Sequence, residues 1–169
     1  MYSFLGGGLV CAGVGNILLV VSTATDYWMQ YRQASGDIHQ GLWRYCVPGK
    51  CMIQPSNTAY LDGISAYMIL AIITGFLGML MGIAAFINYN SVDGLNGTFL
   101  AALFYYISFF SVLPAMAVYT GVIVFYYGKR YENWRFSWSY IMGWVSVVLT
   151  FFAGIFHKYS ILHLGRYNA

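Results

Sequence analysis

Four stretches of this chain contain no Asp, Glu, Lys or Arg: 1–25, 63–92, 94–128 and 136–157, of 25, 30, 35 and 22 residues. About 20 predominantly apolar residues, rising 1.5 Å each, cross the roughly 30 Å hydrocarbon core of a bilayer. Inside that core only helices and closed barrels satisfy their own backbone groups. Barrel strands alternate apolar and polar positions over about ten residues, and these runs do not. The spacing therefore predicts four membrane helices at roughly 4–25, 64–87, 99–126 and 139–158. Overall, 8% of residues are charged and 60% hydrophobic, against about 25% charged in an ordinary soluble domain.

The first run ends in the small residues Ser22-Thr23-Ala24, as a cleaved signal peptide would. It has no Lys or Arg before its apolar stretch, is longer than a 7–15-residue signal core and is rich in glycine, so retention as a helix is expected. The segments between runs, 26–63, 88–98, 127–138 and 159–169, are too short for a separate soluble domain. The expectation is a single four-span domain over 1–169. A net charge of +3, scattered along the chain, gives no nucleic-acid footprint.

Four spans place both termini on one side, so orientation is one binary choice. Two rules disagree about it. The first and third loops hold Arg32, Arg44, Lys50, Lys129, Arg130 and Arg135, against only Lys158 and Arg166 on the other side. The positive-inside rule would put those two loops in the cytoplasm. Cysteine chemistry argues the reverse. Val47-Pro48-Gly49-Lys50 has Pro and Gly at the two central positions of a type II turn, predicting paired strands over 42–46 and 51–54. Cys46 and Cys51 then face each other at the short Cβ separation a disulfide requires. Free thiols or half of a zinc site are the alternatives, but His39, His157 and His163 are too scattered for ligand spacing. Disulfides persist in secretory and extracellular compartments, so the bridge faces the first and third loops outward. Cys11, inside an apolar run, reads as a small core residue.

Trp28, then Gly41-Leu42-Trp43, then Cys46 and Cys51 in the first loop of a four-span chain form a W…GLW…C…C pattern. It resembles the signature of the claudin and peripheral myelin protein superfamily. The stretches MYSFLGGGLVCAGVG, HQGLWRYC, YTGV at 119–122 and WRFSWSYIMGWVSVVLTFFAGIF at 134–156 are similar to the lens fibre branch of that superfamily. The resemblance implies an all-α membrane protein: a left-handed four-helix bundle with a small extracellular β-sheet built mainly from the first loop. It also implies cytoplasmic termini, the Cys46–Cys51 bridge, and a plasma-membrane location at junctions between lens fibre cells.

Trp43 precedes Cys46 by three residues, the Trp-x-x-Cys pattern of C-linked mannose, or else packs at the membrane interface. Trp28, Trp134 and Trp138 read as interfacial belt residues. Asn96-Gly97-Thr98 is a formal glycosylation sequon, expected to stay bare in a cytoplasmic loop. Gly78 and Gly82 form a G-x-x-x-G pair, with Gly75 beside it, suited to close packing inside the bundle or to a lateral dimer. Pro114 is expected to kink the third helix, and Asn16 to bond a neighbouring helix.

Intramembrane catalysis and proton-coupled transport need convergent ionisable groups, which the charge-free runs lack. No H-E-x-x-H, G-x-S-x-G or phosphate-binding loop occurs. Neither enzyme activity nor a cofactor is expected. A paracellular pore needs a charge excess facing the gap, whereas the first loop's three acids and three bases cancel. A structural, adhesive role is the expectation. Its candidate surface is Arg44, Val47, Pro48, Lys50, Met52 and Ile53 of the hairpin with Lys129, Arg130 and Arg135 of the third loop. The expected partners are membrane lipids and a second copy or a related protein, laterally or across the intercellular gap.

Overall fold

The computed structural model describes residues 2–54, 59–87, 92–127, 129 and 133–168. Four long helices, α1 (Tyr2–Ala24), α2 (Ala59–Ile87), α3 (Val92–Val122) and α4 (Trp138–Asn168), carry a five-stranded sheet at one end. The strands are β1 (Met29–Gln33), β2 (Gly36–Gln40), β3 (Arg44–Val47), β4 (Lys50–Ile53) and β5 (Arg135–Phe136). Segments Leu5–Ala24, Ala59–Ile87, Asn96–Tyr126 and Trp138–His163 are each long and apolar enough to cross a bilayer. α1 packs on α4 and α2, and α3 on α2 and α4, closing a four-helix bundle.

The bundle is greasy outside and finely polar inside. Val10, Ile17, Ile73, Phe110 and Val148 point outward, whereas Ser65, Thr74, Ser108, Ser146 and Thr150 are buried. Hydrocarbon is as apolar as leucine, so helices in lipid associate through small residues, close packing and hydrogen bonds. Thr74 and Thr150 return their hydroxyls to carbonyls four residues back, and Ser108 of α3 donates to Ala71 O of α2 at 2.8 Å.

The helices run past the apolar segments that announce them. α2 starts at Ala59 rather than 64, and α3 at Val92, inside the expected loop 88–98. α4 continues to Asn168 through the expected tail. Hydrophobicity marks the hydrocarbon, whereas helical hydrogen bonding continues into water. The glycosylation sequon therefore lies on a helix with Thr98 fully buried, unlike the surface loop such an acceptor needs. α3 runs through Pro114 and passes into a π-type turn, Ile123–Tyr127.

All pairings in the sheet are antiparallel, in the order β4-β3-β2-β1-β5. Met29 and Gln40 pair directly and are both buried against the bundle. Beneath them lies the main core, with Leu19, Leu42, Ile64, Met68, Met116 and Tyr119. The sheet and the upper half of the bundle thus share one core.

Candidate functional site

α1 ends at Ala24, leaving carbonyls of its last turn without helical partners. Two tryptophans from the first loop supply the missing donors. Trp28 donates its indole N–H to Ser22 O at 2.7 Å and Trp43 to Thr23 O at 2.9 Å, while Thr25 N bonds Val21 O. Trp28 is fully buried, edge-on to Tyr119 at 4.8 Å between ring centres. This overturns the belt reading of Trp28: the ring joins sheet to bundle. Trp43 keeps part of its ring in the open, 44% exposed.

The residues between the two tryptophans have equally local reasons. Gly41 lies against the turn after α1, where a Cβ would stand 2.6 Å from Asp26 Cα and 2.8 Å from Thr25 O. No other residue fits without moving backbone. Leu42 enters the core, and Arg44 donates to the buried Asp26 carboxylate at 2.5 Å. Ser22 donates to Ser139 O, and Ser139 N to Tyr27 O, tying the same turn to the start of α4. The Trp28 and Gly41-Leu42-Trp43 pattern is therefore a clamp on one helix end.

The other end of the sheet is a free rim. β1 leaves the bundle beside Trp28, and β2 returns at Gln40, whose carbonyl accepts from Trp28 N. The β1–β2 and β3–β4 turns therefore lie together at the far end. They touch: a Cβ on Gly36, which has φ +124°, would stand 2.8 Å from Pro48 Cγ. Cys46 and Cys51 pair in register and are joined by a disulfide. Gly49 has φ +85°, the value that the third position of a type II turn demands. Pro48, Gly49 and Lys50 are exposed, as are Ala34 and Ser35 of the neighbouring turn.

The candidate surface residues divide on this frame. Val47, Pro48 and Lys50 belong to the rim. Arg44 and Ile53 pair at the bundle end of the hairpin, and Arg44 is committed to Asp26. Met52 faces Tyr45, whose hydroxyl contacts its sulfur. Arg135 does not stand beside the hairpin: it is in β5 on the opposite edge, bonded to Gln30 Oε1 at 2.9 Å. Three to four strand spacings of about 4.8 Å separate it from β3 and β4, roughly 14–19 Å. Lys129 is exposed, and Arg130 lies outside the described residues. Between these edges the outer face carries the exposed Arg32–Asp37 pair at 3.4 Å and a shallow groove of about 420 Å³ bounded by Gln30, His39, Asn133 and Arg135. Trp134 packs edge-on to Phe136, while Trp138, half exposed, stacks on Tyr27, which stacks on His39.

Ala34, Ser35 and Gly36 of the rim carry no motif of their own in the sequence. A Ser-Gly step between the alternating runs MQYRQ and DIHQ is the available signal. Among the described residues, no three His, Cys, Asp or Glu side chains converge as a metal cluster.

Residues 1–157 match the family described as PMP-22/EMP/MP20/Claudin. The chain is 53% identical to lens fiber membrane intrinsic protein of Bos taurus over 157 residues, covering 93% of this chain and 91% of the relative. With the Homo sapiens protein of that name it shares 51% identity over the same length and coverage. It is 35% identical to claudin domain-containing protein 2 of Homo sapiens over 153 residues, covering 90% of this chain and 83% of that one.

Proposed function

The chain belongs to the PMP-22/EMP/MP20/Claudin family, and from that membership we propose that it is a structural four-span protein of the eye-lens fibre plasma membrane that supports cell–cell adhesion through the rim of its sheet. The lens assignment rests on the relatives named lens fiber membrane intrinsic protein. The adhesive assignment rests on one observation. The Pro48 turn is braced by Gly36 and the Cys46–Cys51 bridge, on a sheet clamped to the helices by Trp28 and Trp43. A rim held this way loses little entropy on docking, and many weak contacts between opposed membranes gain avidity through effective concentration. The occupant across the gap is a second copy or a related family member.

In this reading the sheet is extracellular and both termini are cytoplasmic, because the disulfide needs an oxidising compartment. Intact cells treated with reductant and then an impermeant thiol reagent are expected to label Cys46 and Cys51. Labelling without reductant would contradict the bridge, and none after reduction would contradict the orientation.

Adhesion itself is tested by aggregation of otherwise non-adherent cells carrying equal surface amounts of each variant. Wild-type protein is expected to aggregate them. Cys51→Ser should weaken aggregation by loosening a hairpin whose small ring contributes only about 2 kcal/mol. Arg135→Glu, on the far edge, should leave it unchanged. No aggregation and no flattened membrane apposition with wild-type protein would end the adhesive reading. Ion-selective conductance across an epithelial monolayer expressing the protein would instead support a claudin-like pore.

A further inference from the structure

At the end of the bundle away from the sheet, the lipid-facing surface is indented. A groove of about 370 Å³ opens there between α3 and α4. Its floor is Ala102, which is buried, and Tyr106. The Tyr106 ring lies close on α4 because Gly154 has no side chain: a Cβ at 154 would meet that ring at 3.1 Å. Phe99 and Leu103 of α3 and Leu162 of α4 stand up as walls, 59%, 46% and 50% exposed. The one charged residue in the lining is Lys158. Among the residues whose side chains are described it has no acidic partner.

Its depth gives this lysine a meaning. Trp138 opens α4 beside the sheet, and Lys158 follows twenty residues later, about 30 Å along the helix. That is one hydrocarbon thickness. Leu162 extends the apolar surface a further turn, and a lysine at such a depth can lay its stem along apolar surface with its ammonium at the headgroup level. An apolar trough with a single cation in its lining, at the depth of the membrane boundary, complements the shape and charge of a phospholipid with an anionic headgroup.

We infer that this groove binds one anionic phospholipid in the leaflet away from the sheet. An acyl chain lies over Ala102 and Tyr106, and the headgroup pairs with Lys158. A chain in a concave seat touches protein on several sides, whereas an ordinary boundary lipid touches it on one.

The test uses the full chain in nanodiscs of equal phosphatidylserine and phosphatidylcholine, with retained lipid read by native mass spectrometry. Phosphatidylserine is expected to be retained over phosphatidylcholine by about fivefold, the ratio equivalent to about 1 kcal/mol for one basic residue at an anionic surface. Lys158→Gln should bring that ratio close to one, and Lys158→Arg should preserve it. Phe99→Ala combined with Leu162→Ala lowers the walls without touching the charge, and should reduce retention of both lipids. These side chains face outward, so the variants keep the bundle's interior. Equal retention of the two lipids by the wild-type chain, or an unchanged preference in Lys158→Gln, overturns the headgroup assignment. Full retention by the double wall variant overturns the groove.

Discussion

Trp28→Ala is expected to cost about 3–5 kcal/mol, the range for emptying a buried tryptophan site, and to leave most of the protein inside the cell. Two losses combine in that figure. The indole fills the junction between sheet and bundle, against Tyr119 and Tyr140, so its removal opens a cavity in the shared core. Its N–H also satisfies Ser22 O at the end of α1, and an unsatisfied buried carbonyl costs about 1–3 kcal/mol. Trp28→Phe separates the two, because it keeps most of the ring and deletes the donor. That variant should lose about 1–3 kcal/mol. Trp43→Ala removes the neighbouring bond to Thr23 O, but from a ring that is already half open to solvent, so its loss should be smaller than that of Trp28→Ala. The measurement is reversible unfolding in micelles, with surface delivery as the cellular counterpart. A Trp28→Ala protein no less stable than Trp43→Ala would refute the clamp.

The four spans were legible because lipid imposes a length and excludes charge, and both are properties of a single stretch of sequence. The β3–β4 hairpin was legible for a similar reason: Pro48 and Gly49 dictate their turn locally, and the two cysteines report its register. What escaped depended on residues distant in sequence. Trp28 reads as a belt residue by its place just beyond an apolar run. Its partners are Ser22 O, on a helix end, and Tyr119, ninety-one residues on. Arg44 reads as a free surface cation until Asp26, eighteen residues earlier, takes it. Arg135 belongs by sequence with the hairpin, because both lie in loops on one side, but strand order places it across the sheet. Met29–Gln33 and Gly36–Gln40 have the alternation of strands but little β-branched content, so the sheet's inner half gave a weak signal. Helix ends escaped because hydropathy changes where lipid stops, whereas the hydrogen-bonded backbone continues.

From sequence the glycines of α2 read as internal contacts, because a four-helix bundle already needs small residues inside, with a lateral dimer as the alternative use of G-x-x-x-G. The structure turns them inward. A Cβ on Gly75 would stand 2.9 Å from Asn16 Oδ1 of α1, and on Gly82 2.7 Å from Leu9 and 3.1 Å from both His157 Nε2 and Tyr105 Oη. Gly78 is the tightest against α3: its Cβ would meet the Tyr105 ring at 2.7 and 2.8 Å. Tyr105 is itself buried and packs edge-on to His157 at 4.8 Å, so it has nowhere to retreat. Gly78→Ala is therefore expected to destabilise, although alanine is the better helix former by about 1 kcal/mol. Gly78→Leu should cost about 1–3 kcal/mol or more as overpacking forces α2 from α3. Gly121 is the control, because it lies in α3 with nothing within 4 Å of its added Cβ. Gly121→Ala should be neutral or stabilise by up to about 1 kcal/mol. Unfolding of each variant in micelles, with cross-linking to follow association, distinguishes the two uses of the motif. If Gly78→Leu abolished a dimer while the chain unfolded as readily as wild type, the stripe would serve a neighbouring molecule and the inward assignment would fail. With the glycines inside, the variant loses stability first, and any change in association follows from the distorted bundle.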